Sequence, residues 1–245
     1  MQKLITTGRL MFALGMIGIA ILGIIYKDFL VGRPPAWTST FEGINPVLAY
    51  VSALLIILSC VAIITGKYGH QGGIVIAALT LLFSVFRHLP VFTADWVNAF
   101  KSMAFVGGGL IIAGSFKREG DRRNNLILIG TILLAAFFIA AGYAHFKWAE
   151  GVSGLIPAFI PLRLFWTYFC GVCLFAGGIG ILIPQTRRYA ALLSGIMVLI
   201  WFFLFHIPRF AADTSNQSDR LGVCESFLVS GIFFVLAGIF ARRQS

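Results

Sequence analysis

Apolar and polar residues occur in long alternating blocks along this chain. Eight blocks are apolar over about 20 residues each, the length that an α-helix needs to cross the hydrocarbon core of a bilayer. Short links that contain Lys, Arg, Pro or Gly separate the blocks. The pattern predicts an all-α polytopic membrane protein, with eight transmembrane helices over residues 9–30, 46–65, 72–93, 96–116, 126–148, 162–183, 189–210 and 221–240.

An eight-residue stretch occurs twice, once at the end of the third predicted helix and once at the end of the seventh. The copies are His-Leu-Pro-Val-Phe-Thr-Ala-Asp at 88–95 and His-Ile-Pro-Arg-Phe-Ala-Ala-Asp at 206–213. A spacing of about half the chain indicates an internal duplication. Because each unit would have an even number of spans, the units would be parallel repeats. We expect one four-helix unit over 1–116, a cytoplasmic polar linker over 117–125 and a second unit over 126–245.

The composition places the chain in a bilayer and sets its expected orientation. Charged residues make up 11% of the sequence, whereas a soluble domain carries roughly 25%. The formal net charge of +10 comes from residues in short links, so nucleic acid is not an expected partner. Links on the side of the two termini carry eleven Lys or Arg, and the opposite links carry six. The asymmetry predicts a protein of the cytoplasmic (inner) membrane with both termini in the cytoplasm.

Ionisable residues inside the predicted helices lie towards one end of the bundle. Each costs about 2.5–3.5 kcal/mol on insertion, so each needs a partner or a function. The candidates for catalytic roles are His88, His206, Lys101 and Glu225. Lys101 and Glu225 stand at the same position of the two copies, and three alternatives are open for them. They pair with each other, they pair locally or extend to the headgroups, or they handle a substrate or proton.

Each repeated stretch has a histidine two residues before a proline. The proline removes a backbone amide and predicts a kinked last turn, where the helix dipole would favour a protonated imidazole. His88 and His206 are therefore interfacial helix-ending residues, a pair that handles protons or contacts a quinone, or axial ligands of a haem. No ligand cluster has the spacing of a metal site, so no metal is expected.

Two cysteines form a C-x-x-C pattern, Cys170 and Cys173, inside the sixth predicted helix. The pattern is compatible with packing of small residues, or with thiol–disulfide chemistry if the thiols are reactive. None of the four cysteines suggests a disulfide framework of the secreted kind. The candidates for contact with a cofactor are His145, Arg87, Cys170 and Cys173.

The second half resembles the DoxX-like membrane proteins. The resemblance rests on the His145-Phe146 pair, the prolines Pro157 and Pro161, the glycine-rich helix that ends in Leu-Ile-Pro at 182–184, and the Arg-Arg turn at 187–188. The first half departs from the pattern, with Tyr26 in place of the histidine and Gly-Lys-Tyr-Gly at 66–69 in place of the proline and arginine turn. The resemblance implies a cytoplasmic-membrane protein of prokaryotic type. The family is named for a subunit associated with quinone-linked thiosulfate or terminal oxidation, so redox work is an expectation at the level of the family.

These observations favour a quinone-linked redox or redox-accessory protein, with a quinone head in the polar zone of the bundle. The sequence does not determine the cofactor; a quinone is the first candidate and a haem the weaker one. A transporter for a small solute or lipid, or a non-catalytic partner in a membrane complex, would fit the same pattern. The expected partners are thus the lipid bilayer, a quinone or other small hydrophobic molecule, and a protein of a membrane complex.

Overall fold

The computed structural model describes residues 1–37, 43–116 and 121–242, and the side chains within these ranges other than those of 121–124 and 242. Every regular element in these ranges is helical. The elements are α1 (Gln2–Tyr26), α2 (Asn45–Thr65), α3 (Gly69–Arg87), a 3-10 turn (Leu89–Val91), α4 (Trp96–Ser115), α5 (Asp121–Lys147), α6 (Ala149–Leu155), α7 (Arg163–Gly180), α8 (Arg187–Trp201), a π-helical turn (Phe202–His206), α9 (Ile207–Ala212) and α10 (Gln217–Arg242).

Eight of these helical segments are long and apolar enough to cross a membrane, if α8, the π-helical turn and α9 are taken as one span. The protein is therefore an all-α multi-pass membrane protein, as the hydrophobic pattern predicts. The short α6 lies in the predicted link between the fifth and sixth spans. The predicted linker over 117–125 is too long, because α5 already begins at Asp121; residues 117–120 lie outside the described ranges.

The helix ends differ from the predicted ones where local backbone chemistry decides them. The first helix was expected over 9–30, but α1 covers Gln2–Tyr26. It ends there because Lys27 adopts the left-handed conformation (φ 54°) and its amide bonds the carbonyl of Gly23. The helix expected over 162–183 ends at Gly180.

The two His-x-Pro stretches have different structures. The third helix was expected to continue to residue 93, but α3 ends at Arg87 and a 3-10 turn contains Pro90. In the second copy the chain stays helical to Ala212, through a π-helical turn that ends at His206. Pro208 lacks the amide that would bond the carbonyl of Leu204, and the wider turn accommodates that lost bond. A prediction from the shared motif therefore misses the break in α3.

Helices adjacent along the chain pack side by side, and two further contacts join the halves. The helix α1 packs on α10, and α4 packs on α5 and more lightly on α10. Glycines permit close approach at both main contacts: a Cβ on Gly8 would meet the backbone of Gly231, and one on Gly107 would meet that of Gly130. The best-covered spans are α10 and α4, which lie at the centre of the bundle.

The segment between α1 and α2 turns into the bundle instead of remaining on its surface. Phe29, Leu30 and Val31 are buried, and the Phe29 ring stacks on Phe83 of α3 with 3.9 Å between centroids. Gly32 (φ 81°) passes directly over Ser102 of α4, where a Cβ would collide. The described part of this segment, residues 27–37, thus closes one end of the helices α1 to α4. We call it the inserted loop.

Candidate functional site

The inserted loop is held by a buried ion pair with α3. The guanidinium of Arg87 donates to both carboxylate oxygens of Asp28, at 2.6 and 2.9 Å, and also to the carbonyls of Phe29 and Pro35. Its side chain is 1% exposed. With these bonds Arg87 fixes the loop to α3. Arg87, which was a candidate for contact with a cofactor, therefore holds the inserted loop in the first half of the chain.

A second ionic cluster joins the inserted loop to α4 and α10. Arg33 Nε lies 2.8 Å from Glu225 Oε2, and its other nitrogens donate to the hydroxyl and carbonyl of Ser218. Lys101 Nζ lies 3.5 Å from the same Oε2. Of the three alternatives for Lys101 and Glu225, the direct pair is present. No sequence pattern indicates that Arg33 is the nearer partner. We call Arg33, Lys101 and Glu225 the shared-carboxylate cluster.

His88 is buried beside these ion pairs without a hydrogen-bond partner. The residue is 3% exposed, and neither ring nitrogen has a partner among the described residues. Burial lowers the pKa of His88 from its usual value, Asp95 opposes this, and Arg87 and Lys101 add to it. The lowered pKa favours a neutral imidazole, in contrast to the protonated ring that the helix dipole would favour, because loss of solvation has the larger effect.

A large cavity lies in the second half of the chain, between α5, α7 and α8. Its volume is about 1640 Å³, well above the roughly 300–1,000 Å³ of ordinary small-molecule pockets. The helices α7 and α8 approach closely where Gly177 faces Ser194 and Gly180 faces Ala190. We call the end of the bundle that holds the Arg87–Asp28 pair and the shared-carboxylate cluster the ionic end. Towards this end the cavity walls carry large rings. Four of the five tryptophans line it: Trp96, Trp148, Trp166 and Trp201.

The cavity is open to the surrounding lipid along α7 and α8. Phe169, Leu193 and Leu204 line it and are also exposed on the bundle surface. The span Arg187–Ala212 is the least covered of the eight. The opening of the cavity is therefore bordered by exposed apolar side chains.

Charged side chains that line the cavity lie near the shared-carboxylate cluster, whereas Thr186, Tyr189 and Ser194 supply hydroxyl groups farther along the wall. Lys101, His206 and Asp95 contribute from the ends of α4, the π-helical turn and the residue before α4. His206 packs against α10 at Gly222, where a side chain on the glycine would collide with its Nδ1. His145 lies on α5, and its Nδ1 is 2.8 Å from the carbonyl of Ala141. Because a carbonyl only accepts, the neutral ring presents Nε2 as an acceptor.

The two cysteines of the C-x-x-C pattern also line the cavity. Cys170 and Cys173 are both partly buried and both free thiols. A membrane-dissolved molecule in the cavity would contact them. Among the described residues, no three His, Cys, Asp or Glu side chains come close enough to hold a metal ion.

The structure thus brings together five of the eight predicted site residues around one space. Lys101, His145, His206, Cys170 and Cys173 line the cavity. Glu225 lies behind Lys101, while Arg87 and His88 belong to the closed first unit and do not line it. The two repeat histidines therefore do not face a common cavity, and they do not fit as axial ligands of one haem. Sequence reasoning missed Arg33 and the tryptophans; the clustering of Trp148 and Trp166 around the 149–161 link was the available signal.

Comparison with known proteins supports a relationship only for the second unit. The family model described as a domain of unknown function, DUF8561, matches residues 134–222, just over a third of the chain. The matched range contains every cavity-lining residue of α5, α7, α8 and the π-helical turn. No curated protein and no solved structure matches the chain significantly.

Proposed function

We propose that the protein binds a lipid quinone in the cavity of its second unit and acts as a quinone-linked redox or redox-accessory protein of the cytoplasmic membrane. The observation that supports this most is the cavity itself, which is large, mostly apolar, open to lipid and polar chiefly at one end. A quinone has the matching form, a polar ring with a long apolar tail. The DoxX-like resemblance of the second half points the same way, as a family-level expectation.

The cavity residues supply distinct contacts for such a molecule. The ammonium of Lys101 would donate to a ring oxygen, and Nε2 of His145 would accept from a hydroxyl. His206 lies on the same wall as Lys101 and can hold or pass a proton. Tryptophan rings would stack on the flat head, and the groove along α7 and α8 would hold the tail. A bound quinone would supply the electron and proton acceptor that these side chains lack.

We also propose that the two units are parallel repeats, with both termini in the cytoplasm. Matching contacts support this: α1 packs on α10, and the equivalent α5 packs on α4. The close glycine contacts correspond as well, since Gly8 meets Gly231 and Gly130 meets Gly107. Lys101 and Glu225, at equivalent positions, then meet where α4 contacts α10. A cysteine-accessibility map of the links would test the orientation.

Tryptophan quenching tests the quinone proposal directly. A short-tailed quinone should quench the fluorescence of the purified protein saturably, because four of the five tryptophans line the cavity. The variant Ala141→Phe places a ring in the cavity and should weaken this quenching at least tenfold. Val47→Phe, at an exposed position of α2 outside the cavity, is the matched control. Linear, non-saturable quenching that is identical in both variants would contradict the proposal.

One observation favours lipid transport as a second candidate. The cavity wall continues from Asp95 and Trp148 at the ionic end to Thr186 and Tyr189 at the start of α8. A head group could therefore move along the groove while its tail stays in the bilayer. Accelerated exchange of a labelled lipid between the leaflets of proteoliposomes, abolished by Ala141→Phe, would favour this function. Exchange no faster than in protein-free vesicles would exclude it.

A further inference from the structure

The ion pairs at the ionic end are not all balanced. Arg87 pairs with Asp28, and Arg209 pairs with Asp219, so each of these clusters has one cation and one anion. The shared-carboxylate cluster has two cations, Arg33 and Lys101, on the single carboxylate of Glu225. It therefore carries one positive charge in excess, at a depth where solvent screens charge weakly.

The excess charge belongs to Lys101 rather than to Arg33. Arg33 Nε is 2.8 Å from Glu225 Oε2, and the remaining guanidinium nitrogens bond Ser218. Lys101 Nζ is 3.5 Å from the same oxygen, which is its one ion-pair contact among the described residues. An ammonium has three donors. At least two N–H groups of Lys101 thus have no carboxylate to bond.

Lys101 also lies where a ligand could use that charge. Its side chain is 18% exposed and lines the cavity, whereas Arg33 and Glu225 do not line it. Asp95 stands at the rim of the cavity, and its carboxylate accepts a bond from Asn98. No ion pair joins Asp95 to Lys101 in the described structure. Lys101 is consequently a cation that faces the mostly apolar cavity.

Arg33 makes it easy for Lys101 to turn towards a ligand. Removing a cation from a buried carboxylate normally leaves an uncompensated charge and is costly. When Lys101 turns away from Glu225, Arg33 still pairs with the Glu225 carboxylate, so the negative charge of Glu225 stays compensated. The inserted loop therefore contributes to ligand binding without touching the ligand.

From this arrangement we propose that the cavity selects amphiphiles whose head carries an ionised oxygen, such as the carboxylate of a fatty acid or the phosphate of an anionic phospholipid, and that Lys101 binds that oxygen. The inference rests on the proposed use of the cavity as a binding site. It extends the ligand class beyond neutral quinones and makes Lys101 a specificity-determining residue. An acidic hydroxyquinone would satisfy both proposals.

Brominated lipids test the proposal because bromine on a tail quenches nearby tryptophan. Dibromostearic acid and dibromostearyl alcohol have the same tail and differ in head charge at alkaline pH. We expect the acid to quench at about tenfold lower concentration than the alcohol, as one charge-assisted contact would produce. Dibromostearoyl phosphatidylglycerol and phosphatidylcholine form the second matched pair and distinguish a phospholipid phosphate from a fatty-acid carboxylate.

Two variants separate a specific contact from general electrostatics. Lys101→Gln should reduce the preference for the acid over the alcohol to near unity, because the loss of the ammonium weakens quenching by the acid far more than quenching by the alcohol. Arg33→Gln should also reduce the preference, although Arg33 does not line the cavity, because Lys101 must then compensate Glu225. Lys27→Gln removes an exposed lysine near the same end and should leave the preference intact.

The outcomes distinguish this inference from the proposed function. Equal quenching by acid and alcohol, or an unchanged preference in Lys101→Gln, would overturn the inference even if a quinone binds. A preference for the acid together with no saturable quenching by a quinone would support the inference and contradict the quinone proposal.

Discussion

The two halves of the helix bundle have the same order of long helices but different interiors. In the first half, α2 and α3 touch closely, with Gly72 against the Ser59 carbonyl, and the inserted loop closes one end. In the second half, the segment after α5 forms the short α6, and a cavity of about 1640 Å³ remains between α5, α7 and α8. The first half is therefore closely packed, and the second half leaves room for a ligand.

The difference follows from the size of the side chains that face each other. The helix α3 presents Gly73 and Ala77 to Gly109 and Ala113 of α4, so their backbones approach and nothing fits between them. The helices α7 and α8 instead carry rings such as Trp166 and Trp201 into the space between them. Small residues close a membrane interface, while rings at facing positions keep it open.

The largest expected effect concerns the anchor of the inserted loop. Arg87→Ala leaves Asp28 without its bidentate partner and should lower the free energy of unfolding by roughly 3 kcal/mol or more, as loss of one member of a buried pair does. Arg209→Ala removes the more exposed pair with Asp219 and should cost no more than about 1 kcal/mol. Thermal unfolding in detergent measures both. Equal losses of unfolding free energy would contradict the distinction between a closely packed first half and an open second half.

Added volume should affect the two halves differently. Ala77→Phe inserts a ring between α3 and α4, where Ala77 is buried, and should cost about 1–3 kcal/mol. Ala141→Phe places the same ring at a residue that lines the cavity and should change stability by less than about 1 kcal/mol, since the cavity has room for the added volume. Unfolding of the two variants under identical conditions makes the comparison. A larger loss for Ala141→Phe would mean that the cavity is closed.

Thiol labelling offers a smaller but site-resolved comparison. Cys60 is fully buried in the first half, whereas Cys170 and Cys173 line the cavity. A membrane-permeable maleimide should therefore modify the second-half cysteines first, and a bound amphiphile should slow that reaction. Mass analysis of peptides over time gives the order. Early modification of Cys60 would contradict the packing of the first half.

The smallest expected effect is the pH dependence due to His88. Burial holds its pKa below the usual value, so at mildly acidic pH the unfolded chain binds a proton that the folded protein does not. Stability should consequently fall as the pH decreases through the unfolded value of about 6.5. His88→Gln should flatten this dependence between neutral and mildly acidic pH. An unchanged slope would mean that His88 is already solvated.

Much of the fold could be predicted from the sequence, because lipid imposes length and polarity on each span. The eight helices follow from hydrophobicity. The equivalent positions of Lys101 and Glu225 in the proposed repeats made their pairing one of three open alternatives, and the structure shows that pair. The third partner, Arg33, could not be predicted, since a loop that folds inward looks like any polar link. The open cavity depends on how α7 and α8 face each other, which a pattern of apolar residues does not determine. The helix ends before Pro90 but the chain stays helical through Pro208. The shared motif does not indicate this difference, because it depends on the neighbours of each proline in the folded protein.

The most direct test of the account is to quantify the small molecules that copurify with the protein. Gently purified wild type and Ala141→Phe would be extracted with solvent and analysed by absorbance and mass spectrometry. We expect the wild type to retain a quinone or another polar-headed amphiphile in near-stoichiometric amount, and Ala141→Phe to lose it. If every amphiphile is present in the same amount in both samples, and in the proportions of the bulk lipid, the claim that the cavity of the second half binds a ligand would be contradicted.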